Sequence, residues 1–146
     1  MDEDEYRSAY QQVNPQRCGY EKALLTRTVH CQQADIFCLA ERYGVACGSA
    51  SSSARCSRLL QLLRQRGSFA LGLTSVDDRL PHSLEMKVQM GGLAGIQRSL
   101  EQEGQAVDSI DSLLEEAARQ FDGLENLPFG DIVQSMVRYE TRRKRR

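Results

Sequence analysis

Five cysteines fall between Cys18 and Cys56, and the 90 residues after Cys56 contain none. This crowding constrains the fold more than any other feature, because every thiol must be buried, ligated or kept reduced. The N-terminus, Met1-Asp2-Glu3-Asp4-Glu5, carries four acids and no apolar h-region. No secretory signal is therefore expected, and a reducing, cytoplasmic setting follows, in which stable disulfides are rare. The count is also odd, so any pairing scheme leaves a thiol over. The spacing C-x12-C-x6-C-x8-C-x8-C lacks the C-x2-C signature of zinc ribbons and bacterial ferredoxins. Buried structural thiols, metal or cluster ligands and a redox switch remain open, with burial favoured by the general behaviour of free cysteine.

A chain of 146 residues, 40% apolar and 27% charged, fits one domain, and no apolar run approaches the roughly 18–20 residues of a membrane span. Residues 1–16 read as an acidic flexible arm. From Gly19 to Tyr43 the composition favours a helix, and two stripes emerge at 100° per residue. One holds Tyr20, Leu24, Cys31 and Cys38; the other holds Leu25, Val29, Ile36, Ala40 and Tyr43. Val45–Ser53 reads as a small-residue loop. A helix starting near Ser52 or Ser53 then carries Cys56, Leu59, Leu60 and Leu63 at helical spacing.

Pro81 opens a further helical stretch, interrupted by Gly91, Gly92 and Gly95. Tight helix packing and a binding surface over His82–Gly95 are equally compatible with those glycines. Asp108 or Ser109 caps the next helix, and Pro128 opens the last. No strand-like alternation of four or more residues stands out. The expected fold is all-α, a compact bundle of about five helices. It comprises a single domain over 17–137, built from a cysteine-bearing helical hairpin (17–71) and further helices (80–137), with a basic tail over 138–146.

Helical geometry separates the thiols. Cys31 and Cys38 would share a face but stand about 10.5 Å apart along the axis, too far for one zinc or one disulfide. An antiparallel hairpin returns Cys56 toward the Cys38 end. The expected metal grouping is therefore Cys38, Cys47 and Cys56, with Cys18 or Cys31 as the fourth ligand. Cys18 stands at a helix start, where the macrodipole would favour thiolate. His30 and Cys31, adjacent on a helix, would point about 100° apart and do not form a catalytic pair.

No phosphate loop, dinucleotide fingerprint or hydrolase motif occurs, so no enzymatic activity is expected. From Arg138 onward six bases face one acid, yet the whole chain has a net charge of -1, which argues against a dedicated nucleic-acid binder. The runs Cys18-Gly-Tyr-Glu-Lys-Ala-Leu-Leu, Val45-Ala-Cys47, Ala54-Arg-Cys56 and Leu80-Pro-His-Ser-Leu-Glu-Met-Lys-Val-Gln-Met-Gly-Gly-Leu resemble the nitrogenase-associated factor T family. These are small cysteine-bearing accessory proteins of nitrogen-fixing bacteria. The resemblance implies a non-catalytic protein that docks on the molybdenum–iron protein of nitrogenase in a protective, stabilising or assembly role. The expected docking residues are Tyr20, Leu24, Cys31 and Cys38 on the first helix, with Arg142, Arg143, Lys144, Arg145 and Arg146 in the tail. The alternative is an iron–sulfur or zinc protein that uses the Cys18–Cys56 region for electron transfer or redox sensing.

Overall fold

The computed structural model describes residues 2–140. The acidic N-terminus is a helix, α1 (Glu3–Val13), where a flexible arm was expected. Asp2 caps it by accepting from the Glu5 N–H, and Glu3, Asp4 and Glu5 sit in the first turn, where the helix dipole favours negative charge. Its inner face buries Tyr6 and Tyr10.

The expected long helix over Gly19–Tyr43 is not formed. The segment begins with a single short helix, α2 (Glu21–Leu25), then a loop, then strand β1 (Ala34–Leu39). β1 pairs antiparallel with β2 (Arg42–Cys47), from Ala34 opposite Cys47 to Leu39 opposite Arg42. The two turn residues, Ala40 and Glu41, both have positive φ, at 50° and 66°. That is the geometry of a two-residue hairpin turn, normally marked by Asn-Gly or Asp-Gly. The turn is made here from two strong helix formers, which hid the hairpin. The chain is thus mostly helical with a two-stranded sheet, not purely all-α.

The later helices fall where expected, except that α3 starts earlier than Ser52 or Ser53 and, with β2, takes up most of the expected Val45–Ser53 loop. Ser49 caps α3 (Ala50–Leu71) by accepting from the Ser52 N–H, and Gly72 ends it at φ 68°. α4 (His82–Met86) begins after Pro81 and passes through a π-helical turn, Lys87–Gly91, into α5 (Gly92–Ser99). Ser109 caps α6 (Ile110–Gln120), and α7 (Phe129–Arg138) follows Pro128. The core runs through Leu59 and Leu63 of α3, Val88 of the π turn, Leu93 and Ile96 of α5, Leu114 of α6, and Ile132 and Met136 of α7.

The three glycines serve packing. A Cβ on Gly91 would stand 2.6 Å from the Met136 Cα, and one on Gly95 would stand 2.8 Å from the Ile132 Cα. A Cβ on Gly92 would meet a Leu63 methyl at 2.7 Å. The π turn and α5 therefore lie directly on the backbone of α7. Gly95→Ala should destabilise the fold by about 1–3 kcal/mol through overpacking. Gly130→Ala in α7, where a Cβ meets nothing within 4 Å, should be neutral or stabilising by up to about 1 kcal/mol. Urea denaturation of the two variants checks the opposite signs.

Candidate functional site

Two backbone hydrogen bonds lay the segment before α2 along the edge of β2. Cys18 N–H donates to the Val45 carbonyl at 3.0 Å, and Cys47 N–H donates to the Gln16 carbonyl at 2.9 Å. Cys18 and Cys47 are thereby held on neighbouring stretches of backbone. Gly48 N–H donates to the Gln33 carbonyl at 2.8 Å, which fixes the loop ahead of β1 against the end of β2. That loop carries Cys31. Its backbone is tied to α6, because His30 N–H donates to the Val107 carbonyl and Ile110 N–H to the His30 carbonyl. Ser109, the cap of α6, places its hydroxyl 4.0 Å from the Cys31 sulfur. Cys56 enters from the second turn of α3 and is 8% exposed.

Four cysteines from four parts of the chain thus line one cavity: Cys18, Cys31, Cys47 and Cys56. Tyr20, Leu24, Ala34 and Ile110 supply much of its apolar wall. The space inside is about 10 Å³, close to the minimum for one water molecule. Among the described residues, no group of three or more His, Cys, Asp or Glu side chains is assembled that could hold a metal ion. The thiols share a cavity without being gathered on one point.

No family model, curated protein or solved structure matches this chain. The site must be read from its own chemistry.

Cys38 is not part of it. It pairs with Tyr43 near the hairpin tip and is exposed. Cys47 lies opposite Ala34, four residues along β1 from Cys38, a separation of about 13 Å at the rise of a strand. The expected Cys38–Cys47–Cys56 grouping therefore loses Cys38 and gains both Cys18 and Cys31. The docking stripe dissolves for the same reason. Tyr20 is 0% exposed and Leu24 2%, so both belong to the core, and Cys31 and Cys38 face different surroundings. Arg142–Arg146 lie outside the described residues.

Burial dominates the thiols' protonation. It pushes Cys18 up to about 11 despite a hydrogen bond from the Tyr20 backbone, with Cys47 and Cys31 adding to the rise. The macrodipole expectation for Cys18 fails because α2 has only five residues and the thiol is enclosed. Burial, followed by the neighbouring Cys18, Cys31 and Cys47, pushes Cys56 up to about 12. Such thiols are poor nucleophiles, and a ligated cation has to displace their protons.

The first turns of two longer helices border the cavity, through Ser52 and Ser53 of α3 and Ile110 and Asp111 of α6. Their positive ends favour negative charge there. Two buried groups lack partners among the described residues: the hydroxyl of Tyr20, a lining residue, and the Nε of Arg55, which pairs with the lining Asp111. An unsatisfied buried hydroxyl costs about 1–3 kcal/mol.

Asp111, 5% exposed, forms an ion pair with Arg55 across α3 and α6. Burial pushes its carboxyl up, but hydrogen bonds from Ser52 and Arg55, the Arg55 charge and a hydrogen bond from Gln32 outweigh it. The net result lies below the ordinary value of 3.8. A depressed pKa contributes stability that is full above the unfolded value and is lost as pH falls through the folded one. Asp111→Asn should cost about 1–3 kcal/mol at pH 7, with the gap to the native protein closing at pH 3. Urea unfolding at the two pH values reads this directly.

Proposed function

We propose that this chain is an iron–sulfur protein, with Cys18, Cys31, Cys47 and Cys56 as cluster ligands and one-electron transfer as its activity. The observation that carries the reading is the convergence of four thiols from separate elements on a single cavity, while the fifth, Cys38, stands away from it. Four cysteines are the usual ligand set of both two-iron and four-iron clusters. A single zinc ion needs its sulfurs within about 2.3 Å of one point, and the thiols are not so gathered. A cluster holds its ligands apart around a larger core, so the cavity, about 10 Å³ as it stands, has to widen to admit one.

Other features of the cavity support the same chemistry. A four-thiolate cluster is an anion, and the N-terminal turns of α3 and α6 stabilise it as they would any negative charge. Tyr20 lines the cavity and its buried hydroxyl has no acceptor among the described residues, so it is a donor that a bound cluster could use. A cluster held there would supply one-electron transfer, with no bond made or broken. The chain supplies the ligands, keeps water out and sets the potential through that hydroxyl and the helix ends.

The accessory role on nitrogenase implied by the sequence resemblance finds less support. Two of its docking residues, Tyr20 and Leu24, are core, and its basic tail lies outside the described residues.

Anaerobic reconstitution with ferrous iron and sulfide should give two or four irons per chain and a visible charge-transfer spectrum. Serine at any of positions 18, 31, 47 or 56 should abolish or sharply reduce iron content, and Cys38→Ser should leave it unchanged. A colourless protein holding one zinc, or equal loss of iron in the Cys38 variant, would overturn the reading. Tyr20→Phe should assemble a full cluster whose midpoint potential, read by spectroelectrochemistry, is more negative than that of the native protein.

A further inference from the structure

A second cavity lies on the other side of Cys18 and Gly19, which contribute to the walls of both. Its volume is about 490 Å³, within the range of about 300–1,000 Å³ usual for small-molecule sites. α1 forms one side, α3 and the residues before α4 the other, and the segment from Arg17 to Lys22 the floor. Its charge is unlike that of the chain as a whole. Six bases line it, Arg7, Arg17, Lys22, Arg42, Arg64 and Arg79, against three acids, in a protein of net charge -1.

The three acids are already committed. Glu21 accepts from Arg17 at 2.6 Å, from the Val45 N–H at 2.9 Å and from the Tyr10 hydroxyl. Glu85 accepts from Arg64 at 2.6 Å and from Gln89 at 2.8 Å. Glu3 holds Arg42 at 3.1 Å and reaches Arg7 only at 3.9 Å. Lys22 and Arg79 make no ion pair among the described residues, and neither is buried. Three positive charges are therefore left over in a concave site whose walls concentrate their field.

We infer that this groove is a binding site for a small polyanion, a molecule presenting two or more phosphate or carboxylate groups to Lys22, Arg79 and Arg7. Guanidinium groups pair with either kind of anion through two parallel hydrogen bonds. Cys18 and Gly19 line both the groove and the four-thiol cavity, so the bound anion lies beside a cysteine of that site. The inference does not depend on a cluster being present.

Calorimetric titration of the full chain at constant ionic strength tests it, with inorganic pyrophosphate as the probe and citrate as the second arm. Pyrophosphate should bind at one site with a dissociation constant below about 1 mM, and citrate distinguishes phosphate from carboxylate preference. Lys22→Gln and Arg79→Gln should each weaken binding about tenfold, the loss of one charged hydrogen-bonding partner. Arg119→Gln, on the exposed face of α6, removes the same charge and should leave binding unchanged. Absence of saturable binding by either probe would overturn the inference. So would equal weakening in all three variants, which would mark general charge attraction.

Discussion

Two backbone hydrogen bonds, Cys18 N–H to the Val45 carbonyl and Cys47 N–H to the Gln16 carbonyl, decide the arrangement of the cysteine-bearing third of the chain. They add the residues before α2 to the edge of the hairpin as a short third stretch, with Arg17 bridged to Ala46. Val45, 0% exposed, is thereby pressed inward, where Glu21 and Asn14 take up its remaining polar groups. Asn14 donates to the Val45 carbonyl, and the Glu21 carboxylate accepts from the Val45 N–H. α1 is held by the same network, because Tyr10 donates to Glu21 and accepts from Asn14. An isolated two-stranded hairpin is marginal in water. This one is kept by side chains from both flanking helices.

The four-thiol cavity follows from that arrangement. With Cys18 and Cys47 held on neighbouring stretches of backbone, Cys31 is brought in by the ties between His30 and α6. Cys56 comes in because α3 starts immediately after β2 and turns back over it. The Arg55–Asp111 ion pair then joins α3 to α6 at the rim. The second cavity shares the same hinge point. Gly19 passes so close to α3 that a Cβ there would stand 2.8 Å from a Leu60 methyl, which is why the wall between the cavities is thin.

The helices after residue 49 were legible because their signals are local. Ser49, Gly72, Pro81, Ser109 and Pro128 mark ends by backbone chemistry, and the leucine stripe of α3 has one period throughout. The packing role of Gly91 and Gly95 needed the partner helix to be seen. The hairpin was hidden because Ala40 and Glu41 favour helix, and tertiary contacts override that preference. Once residues 34–47 were read at 3.6 residues per turn, Cys38 fell in line with Cys31; at two residues per repeat it points elsewhere. Cys47 and Cys56 line one cavity, but from a strand and a helix and not from the expected helical hairpin, while Cys18 and Cys31 join through hydrogen bonds no periodicity encodes.

The proposal turns on Cys18, Cys31, Cys47 and Cys56 holding one inorganic cluster. Anomalous diffraction at the iron edge from crystals of anaerobically reconstituted protein tests it most directly. One compact iron peak is expected in the cavity between Tyr20 and Ile110, bonded to those four sulfurs and not to Cys38. Iron bound at Cys38, iron scattered over the surface, or a reconstituted protein with no iron peak in the cavity would contradict it.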